Sequence, residues 1–277
     1  MLSFNIEIIL FIGEKFCGCM FFSKYLLYDI LNVSNNYLYI FFNYRINFLL
    51  YIKYVYFLNK KLLNWPLSYF FKNDYFYKTE ILFDVGVLIP RYEIYIFIDK
   101  LINVIYKYEI KNILELGIGS GAISLILSMC KKLNIIGVDF DLNSFFFSNK
   151  NLYNLKILNI EFYYNNWDIF YCNKFKFDII FSNPPYICFE SFVFLTDNLV
   201  PFESKKSLLS DNFGFNSIIF IIKMSYIFLN KKGILIIEHG YRQSFMIRKI
   251  FFYFGYFNVN TYIDKNYFDR ITIGVKY

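Results

Sequence analysis

The sequence predicts an α/β protein in which helices cover both faces of a seven-stranded, mostly parallel sheet, preceded by a small helical domain. From residue 111 onward, short apolar segments alternate with longer helical ones, which is typical of parallel strands joined by crossover helices. The first part of the chain is apolar throughout and contains neither glycine nor proline between Gly18 and Pro66. That pattern favours a helical bundle.

Each predicted strand is a short apolar run, and each predicted helix is a longer segment between two such runs. The strands are 112–116, 135–138, 160–164, 177–182 and 234–238, followed by a final close pair, 259–263 and 270–275. The helices are 120–130, 142–155, 213–229 and 241–254. The short connection between the last two strands indicates an antiparallel strand at one edge of the sheet.

Three segments follow from these patterns. They are a helical domain at 1–74, a hinge with short strands at 75–90, and the α/β domain at 91–277. Trp65-Pro66 marks a break in the helical part. Within the hinge, Phe76-Tyr77 and 81–83 read as extended segments, with a turn around 84–86.

Composition excludes several classes of protein. With 57% hydrophobic and 18% charged residues, the chain cannot be intrinsically disordered. Its 37 Phe and 27 Tyr are spread along the whole length, as coding bias would produce, so scarce residues such as Gly, Pro, Trp and His carry more information. The net charge of +7 comes without a dense basic run, which favours solvated surface charge over a nucleic-acid track.

The sequence favours a soluble, cytoplasmic monomer without a metal site, and a membrane-attached protein is the alternative. Five cysteines form no C-x-x-C pair and there is a single histidine, so reduced thiols are expected. The most apolar stretch, 37–58, is interrupted by Arg45 and Lys53, and each such charge costs about 2.5–3.5 kcal/mol at the centre of a bilayer.

A glycine-rich turn, 115–121, stands between the first predicted strand of the sheet and the following helix. Glycines at 117, 119 and 121 let the backbone turn sharply and approach a ligand at the carboxyl ends of the strands. The spacing is G-x-G-x-G, which suits a nucleoside with an amino-acid tail better than a pyrophosphate. Asp139, at the end of the second strand, is placed to accept hydrogen bonds from both ribose hydroxyls. A purely structural glycine turn is the alternative.

A second turn, Asn183-Pro184-Pro185-Tyr186, follows the buried strand 177–182. Two successive prolines fix φ and remove two backbone donors, so the turn is stiff and its carbonyls are free to accept hydrogen bonds. Asn183 adds a side-chain carbonyl and Tyr186 a flat face. These features predict a rigid socket for a planar group that carries NH2.

The socket suits methyl transfer to an amide or aromatic amine, whose nitrogen is a poor nucleophile because its lone pair is delocalised. The Asn183 Oδ1 atom and the Pro184 carbonyl would hold the two N–H bonds and aim the nitrogen at a methyl carbon. Such positioning supplies roughly 7–11 kcal/mol, and preorganised dipoles add to it. Neither a histidine nor a cysteine base is required.

Together, the two turns and Asp139 resemble class I methyltransferases that use S-adenosylmethionine. Over residues 66–277 the chain is similar, in order and approximate spacing, to the release factor glutamine methyltransferase family. The matching blocks are Pro66–Tyr69, Phe76-Tyr77, Val87–Arg91, Glu115–Gly121, Phe177–Ile187, Glu203, Asp211 with Gly214, Glu238-His239-Gly240 and Asp269–Gly274. The first 65 residues match only in length and helical character.

The resemblance implies methylation of the glutamine N5 atom in the Gly-Gly-Gln tip of class I peptide chain release factors, which the N-terminal domain helps to grip. It implies S-adenosylmethionine binding by Glu115, Gly117, Ile118, Gly119, Ser120, Gly121, Asp139, Trp167 and Asn183. It implies a catalytic and substrate-binding role for Asn183, Pro184, Pro185 and Tyr186. Core packing is the alternative for Trp167, and a structural role is expected for His239.

Three departures from the family pattern concern the geometry of the pocket. Asn166 stands where the family usually has Asp, and Tyr92 and Ser204 stand where it usually has Pro. Three alternatives stay open: a methyltransferase acting on a glutamine of ribosomal protein L3, a nucleic-acid amino-methyltransferase acting on adenine N6 or guanine N2, and an inactive binding protein. The 89–91 and 269–272 blocks favour the release-factor enzyme over the first.

Overall fold

The computed structural model describes residues 3–33, 43–66, 68–69, 72–91, 93–167, 175–194 and 202–277. The chain divides into two compact units, Met1–Lys72 and Asn73–Tyr277. The predicted hinge, 75–90, falls within the second unit, and its role as a hinge stays a prediction. Tyr92, one of the three departures, lies outside the described residues. No helix in the described ranges combines the length and the hydrophobicity that crossing a bilayer requires.

The first unit contains helices packed on one another and a short pair of strands. Its elements are β1 (Ser3–Asn5), α1 (Ile6–Cys17), α2 (Met20–Leu31), β2 (Arg45–Asn47) and α3 (Phe48–Leu62). The helices bury one apolar cluster that includes Ile9, Leu26 and Tyr54. The sequence does not predict the antiparallel pairing of β1 with β2, because three-residue strands are too short to show a period.

The second unit opens with a hairpin and continues as alternating strands and helices. Its strands are β3 (Asn73–Phe76), β4 (Thr79–Leu82), β5 (Asn112–Leu116), β6 (Asn134–Asp139), β7 (Ile160–Tyr164), β8 (Phe177–Ser182), β9 (Leu229–Glu238), β10 (Tyr256–Ile263) and β11 (Asp269–Lys276). Its longer helices are α4 (Glu93–Lys107), α5 (Ala122–Cys130), α6 (Leu142–Asn154), α7 (Asn216–Phe228) and α8 (Ser244–Tyr253). The predicted turn after the hairpin is confirmed by the bond from the Val87 N–H to the Asp84 carbonyl (3.1 Å).

The predicted sheet is confirmed: among the described residues it has seven strands in the order β10-β11-β9-β8-β5-β6-β7. All neighbours are parallel except β11, which runs antiparallel to β9 and β10. The order reverses between β5 and β8, and ligands of open α/β sheets bind at such a reversal. The carboxyl ends of β5, β6 and β8 bring the glycine turn, Asp139 and Asn183 to one edge.

Three predicted helices begin later than expected, and four strands of the sheet are longer. The helix expected from residue 120 begins at Ala122, because Gly121 is in the left-handed region. The helix expected from Phe213 begins at Asn216, because Asn212 and Phe213 have positive φ and form a turn. The helix expected from Tyr241 begins at Ser244, after a turn closed by the bond from the Gln243 N–H to the Gly240 carbonyl (2.9 Å). The strand expected at 234–238 extends back to Leu229.

The side chain of Asn151 joins the hairpin to the larger sheet. Its Oδ1 accepts the Leu82 N–H (2.8 Å), and its Nδ2 donates to the carbonyls of Leu82 (2.8 Å) and Ser120 (3.0 Å). One buried amide on α6 therefore fixes both β4 and the glycine turn. This places the segment after β4 beside the functional edge of the sheet.

Candidate active site

The glycine turn folds as a tight corner between β5 and α5. Gly117, Gly119 and Gly121 all have positive φ, at +83°, +53° and +80°. The Gly117 N–H donates to the Val138 carbonyl (2.8 Å), which ties the corner to β6. A Cβ at Gly119 would meet no atom within 4 Å, so open space lies against the backbone there. The turn therefore leaves room for a ligand to approach the main chain closely.

Asp139 lies at the carboxyl end of β6, facing this turn. Its Oδ2 accepts the Gly119 N–H (3.0 Å) and its Oδ1 accepts the Asp141 N–H (2.9 Å). Burial raises the pKa of Asp139 to about 6, against the effect of these two hydrogen bonds. Beyond these two bonds, each carboxylate oxygen keeps a lone pair that can accept a hydroxyl.

Glu115 lies behind the turn rather than in front of it. Its side chain is buried and accepts a hydrogen bond from the Ser124 hydroxyl of α5. Burial raises the pKa of Glu115 to about 8. The carboxyl group therefore connects α5 to β5 through this hydrogen bond. Glu115 is not among the described residues that line the cleft.

The Asn183–Tyr186 corner stands where two concavities meet. A narrow cleft contains Gly117, Gly119, Asp139 and Trp167, and a larger cavity of about 460 Å³ contains Pro184 and Tyr186. Asn183 and Pro185 line both concavities. A ligand in the cleft and a second ligand in the cavity would meet at this corner.

Contacts from three parts of the chain hold the corner in place. The Ser182 hydroxyl donates to the Leu116 carbonyl (2.6 Å), and the Ile187 N–H donates to the Leu208 carbonyl (3.0 Å). The Gln243 Nε2 atom donates to the Tyr186 carbonyl (3.0 Å). The residues on either side of the corner, Ser182 and Ile187, are thus both held by hydrogen bonds, and so is Tyr186 within it.

Trp167 closes one side of the cleft. Its ring packs edge-on against Phe140, with ring centroids 5.8 Å apart. A Cβ at Gly117 would lie 3.8 Å from this ring, so the indole and the glycine turn are neighbours. Among the described residues the buried Nε1 of Trp167 has no hydrogen-bond partner. Buried polar groups are nearly always paired, so this N–H is available for an acceptor that the described residues do not supply, such as one on a ligand in the cleft.

Charged groups are gathered around the larger cavity. Glu238, at the end of β9, accepts a hydrogen bond from the Tyr186 hydroxyl (3.3 Å). The Arg91 guanidinium pairs with Glu203 at 2.7 Å, and Arg270 pairs with Asp264 at 3.0 Å. All of these except Glu203 and Asp264 line the cavity. The cavity therefore suits a polar guest with both donors and acceptors.

His239 is fully buried and lies outside both concavities. Its Nδ1 lies 3.0 Å from the Gly240 carbonyl and its Nε2 lies 2.8 Å from the Thr272 hydroxyl. Burial lowers the pKa of His239 to about 4. A neutral ring with both nitrogens bonded agrees with the expected structural role.

Comparison with known proteins assigns the family. The methyltransferase small domain model matches residues 98–200. The release factor glutamine methyltransferase of Buchnera aphidicola subsp. Acyrthosiphon pisum is 35% identical over 221 residues, which are 79% of this chain and 78% of that protein. The chain belongs to the release factor glutamine methyltransferase family. The member from Haemophilus influenzae is 32% identical over 231 residues, covering 78% of each chain.

Solved structures support the fold of this release factor glutamine methyltransferase family member. The 16S rRNA N2 G1207 methyltransferase of T. thermophilus aligns with a TM-score of 0.53 and 16% identity, over 74% of this chain and 50% of that one. A ribosomal protein L11 methylase from Lactobacillus delbrueckii subsp. bulgaricus aligns with a TM-score of 0.51 and 15% identity, over 71% and 86%. The class I methyltransferase fold predicted from the sequence is confirmed.

In this methyltransferase, the residues predicted to bind the cofactor divide into two groups. Gly117, Gly119, Asp139, Trp167 and Asn183 surround the cleft. Glu115, Ile118 and Ser120 are buried, and Gly121 packs against Phe162 and Ser148. The binding roles of both groups stay predictions, and the second group supports the cleft from behind.

Several residues around the site are not among the site residues predicted from the sequence. Leu88 and Ser207 line both concavities, and Lys206 lines the cleft. Gln243, the residue before α8, donates a hydrogen bond to the Tyr186 carbonyl. Leu88 falls within a block quoted for the family, but nothing in the sequence distinguishes Ser207, Lys206 or Gln243 from other polar residues.

Proposed function

We propose that this protein methylates the N5 atom of the glutamine in the Gly-Gly-Gln tip of class I peptide chain release factors, with S-adenosylmethionine as the methyl donor. Family membership supports the substrate and the reaction. The observation that carries the proposal is the position of Asn183 and Pro185, which line both the glycine-walled cleft and the larger cavity.

The residues of the cleft fit S-adenosylmethionine. Gly117 and Gly119 leave space beside the backbone, and Asp139 has lone pairs for two ribose hydroxyls. The Nε1 of Trp167, which has no partner among the described residues, can donate to an adenine nitrogen. S-adenosylmethionine supplies a methyl group on a positively charged sulfur.

The corner residues would then bind and orient the glutamine in the larger cavity. Asn183 Oδ1 and the Pro184 carbonyl accept the two N–H bonds of the side-chain amide, which aims the nitrogen across the corner. Tyr186 stacks on the amide plane or closes the cavity. These acceptors strengthen their bonds as positive charge develops on nitrogen, and the methylated nitrogen then loses a proton to water or another acceptor.

The first unit is proposed to grip the release factor, as the family resemblance implies. Several large apolar side chains of its helices are exposed, among them Phe11, Phe21 and Leu49. Exposed apolar side chains of this size can take part in protein contacts, and they are the candidates for this role in the first unit.

A labelling experiment tests the proposed reaction. Purified protein with methyl-labelled S-adenosylmethionine is expected to label an intact class I release factor, and to leave unlabelled a release factor whose tip glutamine is replaced by alanine. Ribosomal protein L3, ribosomal RNA and DNA serve as competing substrates in parallel reactions. Preferential labelling of any of them would assign the protein to one of the alternative classes.

Asp139→Ala is expected to weaken S-adenosylmethionine binding by about 1–3 kcal/mol, because charged hydrogen bonds to the ribose are lost. Asp139→Asn, which keeps the size and one acceptor oxygen, is expected to lose less. Calorimetric titration measures both affinities, and thermal unfolding checks that each variant is folded. An unchanged affinity in Asp139→Ala would place the ribose elsewhere.

A further inference from the structure

A buried carboxyl group in the larger cavity has an oxygen without a hydrogen-bond partner among the residues that the structure describes. Glu238 is 5% exposed and lies at the carboxyl end of β9. Its Oε1 accepts the Tyr186 hydroxyl at 3.3 Å. Within the described ranges, its buried Oε2 has no hydrogen-bond partner. An unpaired buried carboxylate oxygen is costly, which indicates that a ligand supplies the missing donor.

The charged neighbours of Glu238 leave room for a ligand to donate the missing hydrogen bond to Oε2. Burial raises the pKa of Glu238 to about 7; Arg270, Tyr186 and Arg91 lower it, and Glu93 raises it. Each arginine already pairs with another carboxylate, Arg270 with Asp264 and Arg91 with Glu203. A donor that reaches Oε2 would therefore favour the ionised form of Glu238.

A glycine-rich peptide segment offers a suitable donor. Glycines carry no Cβ, so their main-chain N–H groups can approach a recessed acceptor that other residues could not reach. Glu238 and Asn183 line the same cavity, and Tyr186 connects the carboxyl group to the corner. A Gly-Gly-Gln tip whose side-chain amide occupies the corner would present its own backbone to the walls of this cavity.

We propose that Oε2 of Glu238 accepts a main-chain N–H of the Gly-Gly-Gln tip, while Oε1 holds the Tyr186 hydroxyl. Glu238 is then a substrate-binding residue that recognises the tip backbone. The proposal rests on the proposed function, because it requires a peptide substrate in the larger cavity.

Kinetics of Glu238→Gln test the contact. KM for the release factor is expected to rise about 10-fold or more, the usual effect of losing a hydrogen bond to a charged group, with kcat changed by less than about 3-fold. The affinity for S-adenosylmethionine is expected to stay the same. Glu109→Gln, an exposed carboxylate in the turn before β5, is the matched control and should behave as the wild type.

The pH dependence of KM separates substrate binding from a structural role. In the wild type, KM should rise as the pH falls below about 7, because protonation removes the acceptor. Glu238→Gln should lack this change. A wild-type KM in the variant, or a persisting pH dependence, would overturn the proposal, as would a variant that loses kcat and cofactor affinity together.

Modified peptides extend the test to the unaltered enzyme. In peptides containing Gly-Gly-Gln, an ester replaces each main-chain amide of the tip in turn, which removes one N–H. For one of these ester peptides, the affinity of the wild type is expected to fall about 10-fold. The Glu238→Gln variant should bind that ester peptide and the parent peptide equally well. Equal binding of all esters by the wild type would reject the contact. A wild type that does not label the release factor would instead reject the proposed function.

Discussion

Asn183→Ala is expected to lower turnover by about 10²–10³, while the affinity for S-adenosylmethionine falls much less. The side chain lines both the cleft and the larger cavity, so its oxygen is placed to hold the substrate amide where the methyl group arrives. Removing one preorganised polar group of this kind typically has an effect of ~10²–10³ on kcat. The Pro184 carbonyl would remain and hold one N–H bond without fixing the direction of the nitrogen.

Single-turnover labelling of the release factor measures the chemical step of Asn183→Ala, and calorimetry measures its cofactor affinity. Asn266→Ala, in the exposed turn between β10 and β11, controls for the general effect of an Asn replacement. Turnover near the wild-type value in Asn183→Ala would refute the role of the corner as an amide socket. Equal losses of turnover and cofactor affinity would assign Asn183 to cofactor binding alone.

The central strands of the sheet are the part of the fold that sequence patterns predict best. β5, β7 and β8 begin and end at the predicted residues. Each is a short apolar run whose neighbours are polar or turn-forming, so the limits of burial coincide with limits visible in the sequence. The start of α7 was predicted incorrectly because Asn212 and Phe213 adopt positive φ. Two successive residues other than glycine rarely do so, and the local sequence does not predict it.

Sequence patterns likewise predict some parts of the candidate site and miss others. The Asn183–Tyr186 corner and the glycine turn are predictable because glycine and proline are scarce in this chain and each restricts or frees the backbone in a known way. The groups that hold them are not predictable from local pattern. Gln243 lies 57 residues beyond Tyr186, and only the folded chain brings the two together.

Two of the departures from the family pattern lie beside the site. Asn166 is exposed, and its main-chain N–H donates to the Asn165 side chain at 2.8 Å. Ser204 lines the cleft next to the Arg91–Glu203 pair. Neither belongs to the corner itself, so the proposed chemistry does not depend on either residue.

Gly214→Ala is expected to reduce turnover by about 10²-fold although residue 214 need not touch a substrate. Gly214 has φ +84°, and a Cβ there would overlap the Tyr186 carbonyl oxygen and lie 2.8 Å from the Tyr186 carbonyl carbon. The Gln243 Nε2 atom bonds to the same carbonyl and to that of Phe213, at 3.0 and 3.3 Å. The new methyl group must therefore displace the last residue of the corner, and a shift of about 1 Å in a catalytic group can cost about 10²-fold.

Gly255→Ala separates this displacement from backbone strain. Gly255 has φ +90°, so alanine incurs a similar left-handed penalty of about 1–2 kcal/mol there. Its nearest neighbour would be the Tyr226 hydroxyl at 3.0 Å, the end of a side chain that can move. Both variants should unfold more easily than the wild type in thermal denaturation, but only Gly214→Ala should lose turnover. If both variants lose turnover equally, loss of stability explains the effect; if Gly214→Ala keeps it, the corner tolerates movement and its rigidity is not what directs the methyl transfer.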